Sequence, residues 1–263
     1  MKKLTTIIVL IAGILIVSIC NFNTVREAFE LNTRNAAVDS KVINKENKYI
    51  KSELKIPKLV MNNKEIERIL NKKFESDIMN FYNTSVKEAE SYFDDFPDAE
   101  NKFVISSDYE VKKSNNKVLS MLIKYYKYSG GAHGTYEYIP YNVDLTSGGI
   151  FTLKDLFNEN SNYKVVIEDE IKKQIIQLNK EQNLPKNSTQ LYAFNEIKDN
   201  QKFYIVDDTI VIFFDLYDIA PYVAGIPEFP INKEIISNLL NNQYKEIIFF
   251  TVLISSYPQV SPS

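Results

Sequence analysis

The apolar positions change period several times along the chain, and each change marks a predicted element. Ile50, Leu54 and Ile56 lead up to Pro57, a spacing that predicts an opening strand ended by the proline. From Asn63 the period shifts to three and four, through Ile66, Ile69, Leu70, Phe74, Ile78, Phe81 and Tyr82. That is the stripe of an amphipathic helix. It continues through Val86 and Ala89 to Tyr92, and the Asp94-Asp95-Phe96-Pro97 cluster stops it. Three strands are expected next, over 102–112, 118–128 and 136–145, with a turn at Ser114-Asn115-Asn116 between the first two. Leu153 to Phe157 reads as a strand leading into a helix start. The spacing of Val166, Ile167, Ile171, Ile175, Ile176 and Leu178 gives a second helix that ends before Pro185. Residues 203–216 read as a hairpin turning at Asp207-Asp208, and Asn232 is placed to cap a short last helix over 233–240. The apolar run 247–254 is too short to cross a bilayer and reads as an added strand or a packed tail.

This order predicts an α+β fold with helices packed on antiparallel sheet, arranged as two small subdomains behind an N-terminal apolar helix. The expected organisation is a signal-anchor or signal peptide over 1–22, a tether over 23–47, a first domain over 48–145, a second over 146–240 and an apolar tail over 241–263.

Met1-Lys2-Lys3 is a basic lead, and Leu4 to Cys20 follows without a charge. As a helix that run extends about 26 Å, close to the hydrocarbon thickness of a bilayer. It is read as an uncleaved anchor, with a cleaved signal or a lipid-modified Cys20 as the alternatives. The lysines then stay inside, and everything beyond Asn21 lies at the cell surface. The membrane is thus an expected partner through residues 4–20.

With 31 basic and 34 acidic residues, scattered without blocks, the chain has no stripe suited to a phosphate backbone, so no nucleic acid is expected as partner. Cys20 is the only cysteine and His133 the only histidine. Cys-based zinc clusters, multi-histidine metal sites and an intramolecular disulfide are all excluded by that count. Neither a metal nor a cofactor is expected.

Two loops stand out. Ser129-Gly130-Gly131-Ala132-His133-Gly134 holds three of the seven glycines. It is either a recognition tip, with Ser129, the freed amides of Gly130, Gly131 and Ala132, and His133 offered together, or a tight connection whose glycines only serve the turn. Ile219 to Pro227 is bounded by Pro221 and Pro227. It is either a stiff ridge presenting Tyr222 to a partner or a buried corner. The Asp94-Asp95 and Asp207-Asp208 pairs are read as turn residues.

Tyr128 to Gly134, running on to Asn142-Val143-Asp144-Leu145-Thr146-Ser147-Gly148 and Leu153-Lys154-Asp155-Leu156-Phe157, together with Ile219 to Pro227, resembles the extracellular domains of the RsiV-like lysozyme-sensing anti-sigma factors. The N-terminal part is similar to the noncatalytic module of PdaC-type peptidoglycan deacetylases. The resemblance covers roughly residues 48–240. It implies an extracytoplasmic cell-envelope binding module, with a lysozyme-like protein or cell-wall glycan as partner and with Ser129, Gly130, Gly131, Ala132, His133, Pro221 and Tyr222 as ligand-binding residues. RsiV-like proteins carry a sigma-binding segment before their membrane helix, and only three residues precede the apolar run here, so direct sigma binding is not expected. The histidine ligands of a deacetylase centre are missing as well. A non-enzyme is expected, with no catalytic residues. The alternatives are an envelope hydrolase or esterase using Ser129 and His133, and a structural accessory protein. Ser129 lacks the Gly-x-Ser-x-Gly elbow that would expose a nucleophile.

Overall fold

The computed structural model describes residues 36–181 and 191–248. The apolar N-terminal segment 1–22, Cys20, Pro185 and residues 249–263 lie outside them, as does the first part of the expected tether. The fold is α+β, with two sheets and few helices.

Strand β1 (Ala37–Glu46) occupies the second half of the region expected to be a tether, which corrects that reading. It pairs antiparallel with β2 (Ile50–Val60) without a break from Ala37↔Val60 to Glu46↔Lys51. Most of its side chains are exposed, and only Val38 and Ile43 lean on the core. Backbone pairing rather than burial makes it a strand, so its polar sequence carries little period-two signal.

β2 does not stop at Pro57. Its parallel pairing with β3 (Phe103–Ser114) ends at Leu54↔Ser107, and amide directions alternate along a strand. Leu59, of the same parity as Pro57, turns its backbone away from β1 and into the side chain of Asn71, which accepts from Leu59 N at 2.7 Å and donates to Leu59 O at 2.9 Å. The missing N–H of Pro57 therefore falls on an unpaired side and costs no ladder bond.

The β2–β3 pair is parallel because helix α1 (Lys64–Asp95) carries the chain back between them. Asn63 caps α1, its side chain accepting from Glu65 N and Ile66 N. The buried stripe Ile66, Leu70, Phe74, Ile78, Tyr82, Ser85 and Ala89 lies on the sheet. β4 (Val118–Tyr128), β5 (Thr135–Asp144) and the two-residue β6 (Gly149–Ile150) complete an order β1-β2-β3-β4-β5-β6.

Between Leu145 and Phe151 the chain passes from the first core to the second. The expected strand at 153–157 is instead a 3-10 turn, Lys154–Leu156. The Asp155 carboxylate accepts from both the amide and the hydroxyl of Thr152, 2.7 Å each, which tightens the backbone. Helix α2 (Tyr163–Glu181) then packs over a three-stranded antiparallel sheet of β7 (Phe203–Val206), β8 (Thr209–Phe213) and β9 (Glu228–Asn232). The hairpin turns at Asp207 with φ 47°, as the sequence predicts.

Strand β9 is unforeseen, and the last expected helix shrinks to α3 (Lys233–Ile236). Asn232 stands at the cap position, yet its side chain takes the Thr209 hydroxyl instead. The start of the expected tail forms helix α4 (Asn242–Ile248), and the rest of the apolar run 247–254 lies outside the described residues. Among the described residues, no helix is long and apolar enough to cross a membrane.

The second sheet docks on the back of β4, which explains why Val118 to Ile123 are buried on both faces. Ser120 accepts from Ile205 N at 2.8 Å and donates to Asn142 Oδ1, while Asn142 Nδ2 donates to Phe203 O at 2.9 Å. Two buried side chains thus complete the edge of β7.

Candidate functional site

The β4–β5 connection and the loop after β8 meet. Tyr128 opens the first by donating its hydroxyl to Gly131 O at 3.0 Å. Gly130 and Gly131 take φ 97° and 87°, which a side chain would resist. Gly134 serves differently: a Cβ there would lie 2.4 Å from the Tyr126 hydroxyl oxygen, so its backbone rests on that ring. Ser129, Gly130, Gly131, Ala132 and His133 are all exposed.

In the second loop Pro221 has φ −61° and precedes a 3-10 turn, Tyr222–Ala224. Pro221 is exposed, Tyr222 half-buried, and Val223 stands 88% exposed beside it. The Tyr222 ring stacks on the His133 imidazole, centroids 4.3 Å apart and planes 22° apart. Its hydroxyl donates to Gly134 O at 3.4 Å, and His133 Nδ1 donates to the same oxygen at 3.1 Å. The two motifs, 88 positions apart in the chain, are therefore joined through one carbonyl. Tyr222 is neither a free tip nor a core residue: one part is fixed by the first loop and the rest faces out.

Tyr136 and Tyr217, which the sequence reading did not single out, complete the cluster. Tyr136 meets Tyr222 edge-on at 6.5 Å, with Lys124 Nζ 4.9 Å from its own ring centre. Burial, aided by Tyr222, raises the Tyr136 phenol above its ordinary pKa. Tyr217 lies 5.8 Å from Tyr222 and holds a φ of 68°. Tyr136 follows the Gly-rich loop directly on β5, so its place was open to inference. Tyr217 gave no signal, because only the fold brings it there.

As a catalytic pair Ser129 and His133 are poorly prepared. The Nδ1 of His133 is spent on Gly134 O rather than on an orienting carboxylate, and one ring face is covered by Tyr222. The motif residues Asn142, Asp144 and Asp155 have local structural partners: Asn142 docks β7, and Asp144 takes the amide and hydroxyl of Thr146 and the hydroxyl of Ser147. Among the described residues, no group of three or more His, Cys, Asp or Glu could hold a metal ion.

The chain combines a six-stranded unit, two strands before its helix and four after it, with a docked second module. Residues 43–136 match the family model described as deacetylase PdaC, and residues 154–234 match one described as a protein of unknown function, DUF3298. The anti-sigma-V factor RsiV of Bacillus subtilis (strain 168) is 28% identical over 194 residues, covering 68% of this chain and 61% of that protein. The peptidoglycan-N-acetylmuramic acid deacetylase PdaC of the same strain is 27% identical over 150 residues, covering 53% of this chain and 30% of that protein. The chain thus spans less than two thirds of either curated relative. Crystal structures of DUF3298 family proteins from Bacteroides fragilis NCTC 9343 and Pseudomonas aeruginosa PAO1 share the fold, with TM-scores of 0.63 and 0.56 at 20% and 16% identity. Each covers 81% of this chain, and 96% and 97% of those chains are matched. The chain is related to the RsiV-like proteins and, through its N-terminal part, to the PdaC-type proteins.

Proposed function

We propose that this chain is an extracytoplasmic, membrane-anchored envelope module that binds a lysozyme-like muramidase through the joined loops 129–134 and 221–223, and that it binds rather than catalyses. The observation that carries the reading is the stack of His133 on Tyr222. It turns two loops from different subdomains into one surface, with Val223 and the outer part of Tyr222 as apolar anchors rimmed by exposed Ser129, Ala132 and Pro221. A part-fixed aromatic in a polar rim loses little entropy on contact. The relationship to an anti-sigma factor supports a sensing role, and a formal charge of −3 favours encounter with a cationic partner.

Hen lysozyme titrated into the full chain tests this. Tyr222→Ala is expected to weaken binding by about 1–3 kcal/mol, and His133→Ala by a smaller amount, with little change in Tm. An unchanged affinity for Tyr222→Ala, together with a large fall in Tm, sinks the reading. Hydrolysis of a model ester that disappears in Ser129→Ala would favour the hydrolase instead.

A further inference from the structure

A sheet edge with free amides and carbonyls is a template for another strand, and this fold closes its other edges while leaving one open. Along the outer side of β5, Pro140 removes one amide and Asn142 O accepts from Phe151 N at 2.9 Å. Ser120 and Asn142 complete β7. On β9, Pro230 lacks an amide and its carbonyl accepts from Gln174 Nε2 at 2.8 Å. β1 is the exception. It ends the six-stranded order and runs ten residues with neither proline nor bulge.

Residues directly opposite in an antiparallel pair turn their backbones alike, either towards each other or apart. Val38 stands opposite Leu59, whose amide and carbonyl go to Asn71, and Ser40 stands opposite Pro57, which has no amide. Both therefore point their backbones away from β2, and by alternation so do Val42, Asn44 and Glu46. Among the described residues nothing bonds to these outward groups. Val42, at the middle of the row, is 53% exposed.

The sequence of β1 complements itself in one register. A two-fold axis at Val42 sets Val42 against Val42, Ser40 against Asn44 and Val38 against Glu46 of a second copy, all with outward backbones, for about ten hydrogen bonds. Between these lie the closer, non-hydrogen-bonded pairs, which set Asp39 against Lys45 on both sides of the axis. Moving the axis to Lys41 opposes Lys41 to itself, and moving it to Ile43 opposes Lys41 to Lys45, so like charges disfavour both. An axis at Ser40 draws on Ala36, whose amide and carbonyl are already bonded to Asn115 O and the Ser114 hydroxyl. An axis at Asn44 shortens the ladder and leaves Asp39 unmatched.

We propose that the open edge of β1 is a self-association surface, where a second copy of this chain pairs antiparallel about Val42 and joins the two six-stranded sheets into one. β5, which leads out of the Gly-rich loop, lies across the sheet from β1, so the pairing leaves that loop uncovered in both copies. The dimer does not depend on the muramidase reading, and either can fail alone.

Sedimentation of the full chain in detergent from about 1 to 500 μM, together with disulfide trapping, tests it. Val42→Pro removes an outward amide, so it breaks the intermolecular ladder and, like Pro57, none of the bonds between β1 and β2. The unaltered chain is expected to reach a dimer, and Val42→Pro to stay monomeric with its Tm held. Asp39→Lys should weaken the dimer about threefold to tenfold, and Asp39→Lys combined with Lys45→Asp should restore it. In a Cys20→Ser background, Val42→Cys should form a disulfide-linked dimer on mild oxidation, because the twin Cα atoms lie about 5.5 Å apart. Asn44→Cys, about 14 Å from its twin, should not. A monomer throughout the range, a dimer that persists in Val42→Pro, or equal trapping at positions 42 and 44 overturns the proposal.

Discussion

Single residues here answer different physical demands even when they share a type, and the glycines of the first loop show it. Gly130 faces open space and is needed only for its φ of 97°, whereas Gly134 has an unexceptional φ but no room for a Cβ against Tyr126. The two demands differ in consequence. Gly130→Ala strains one exposed backbone and should cost about 1 kcal/mol. Gly134→Ala pushes the Tyr126 ring away and moves the carbonyl that both His133 and Tyr222 use, so it should cost about 1–3 kcal/mol and weaken lysozyme binding as well. Urea melts of the two variants check the order, and a larger loss for Gly130→Ala would mean that Gly134 is not a packing position.

At the scale of elements, the strands and helices with buried stripes were legible, and those held by backbone or by single polar side chains were not. The α1 stripe and the hairpin at Asp207-Asp208 followed from spacing alone. β1 was read as a tether because pairing with β2, not burial, orders it, and β9 was hidden in a proline-rich loop where only Phe229 and Ile231 turn inward. Of the site, both motif loops were legible from glycine and proline, but their meeting depends on how the second sheet docks. That docking runs through Ser120 and Asn142, two small polar residues in strands otherwise full of apolar ones. Asn142→Ala leaves Phe203 O without its donor, and Ser120→Ala strands Ile205 N–H. Each should lower stability by about 1–3 kcal/mol, and the double variant by less than the sum, since the two side chains also bond each other at 2.7 Å. Strict additivity in denaturant melts would show that they act as separate contacts rather than as one clasp.

The whole molecule is built around tyrosine, seventeen of them with no tryptophan, and several stand where their hydroxyls are cut off from water. Burial is the largest cause that raises the pKa of Tyr125, Tyr141 and Tyr204. Asp77 adds to it at Tyr125 and Tyr141, where Tyr141 donates to the Asp77 carboxylate at 2.5 Å, and Glu228 adds to it at Tyr204. These phenols lie in both subdomains, Tyr125 and Tyr141 in the first core and Tyr204 in the cluster that joins the sheets. A group whose folded pKa is raised contributes stability that is complete below its unfolded value and is lost as pH climbs towards the folded one. For a phenol the unfolded value is about 10, so stability should be insensitive to these groups at neutral pH and fall steadily above about pH 10. Because the affected residues span both cores, the two subdomains should unfold together rather than in sequence. Phenolate absorbance followed beside circular dichroism tests it: Tyr125, Tyr141 and Tyr204 should ionise only in step with loss of the sheet signal. Complete ionisation of the tyrosines while the sheet signal is unchanged would show that these hydroxyls are open to water.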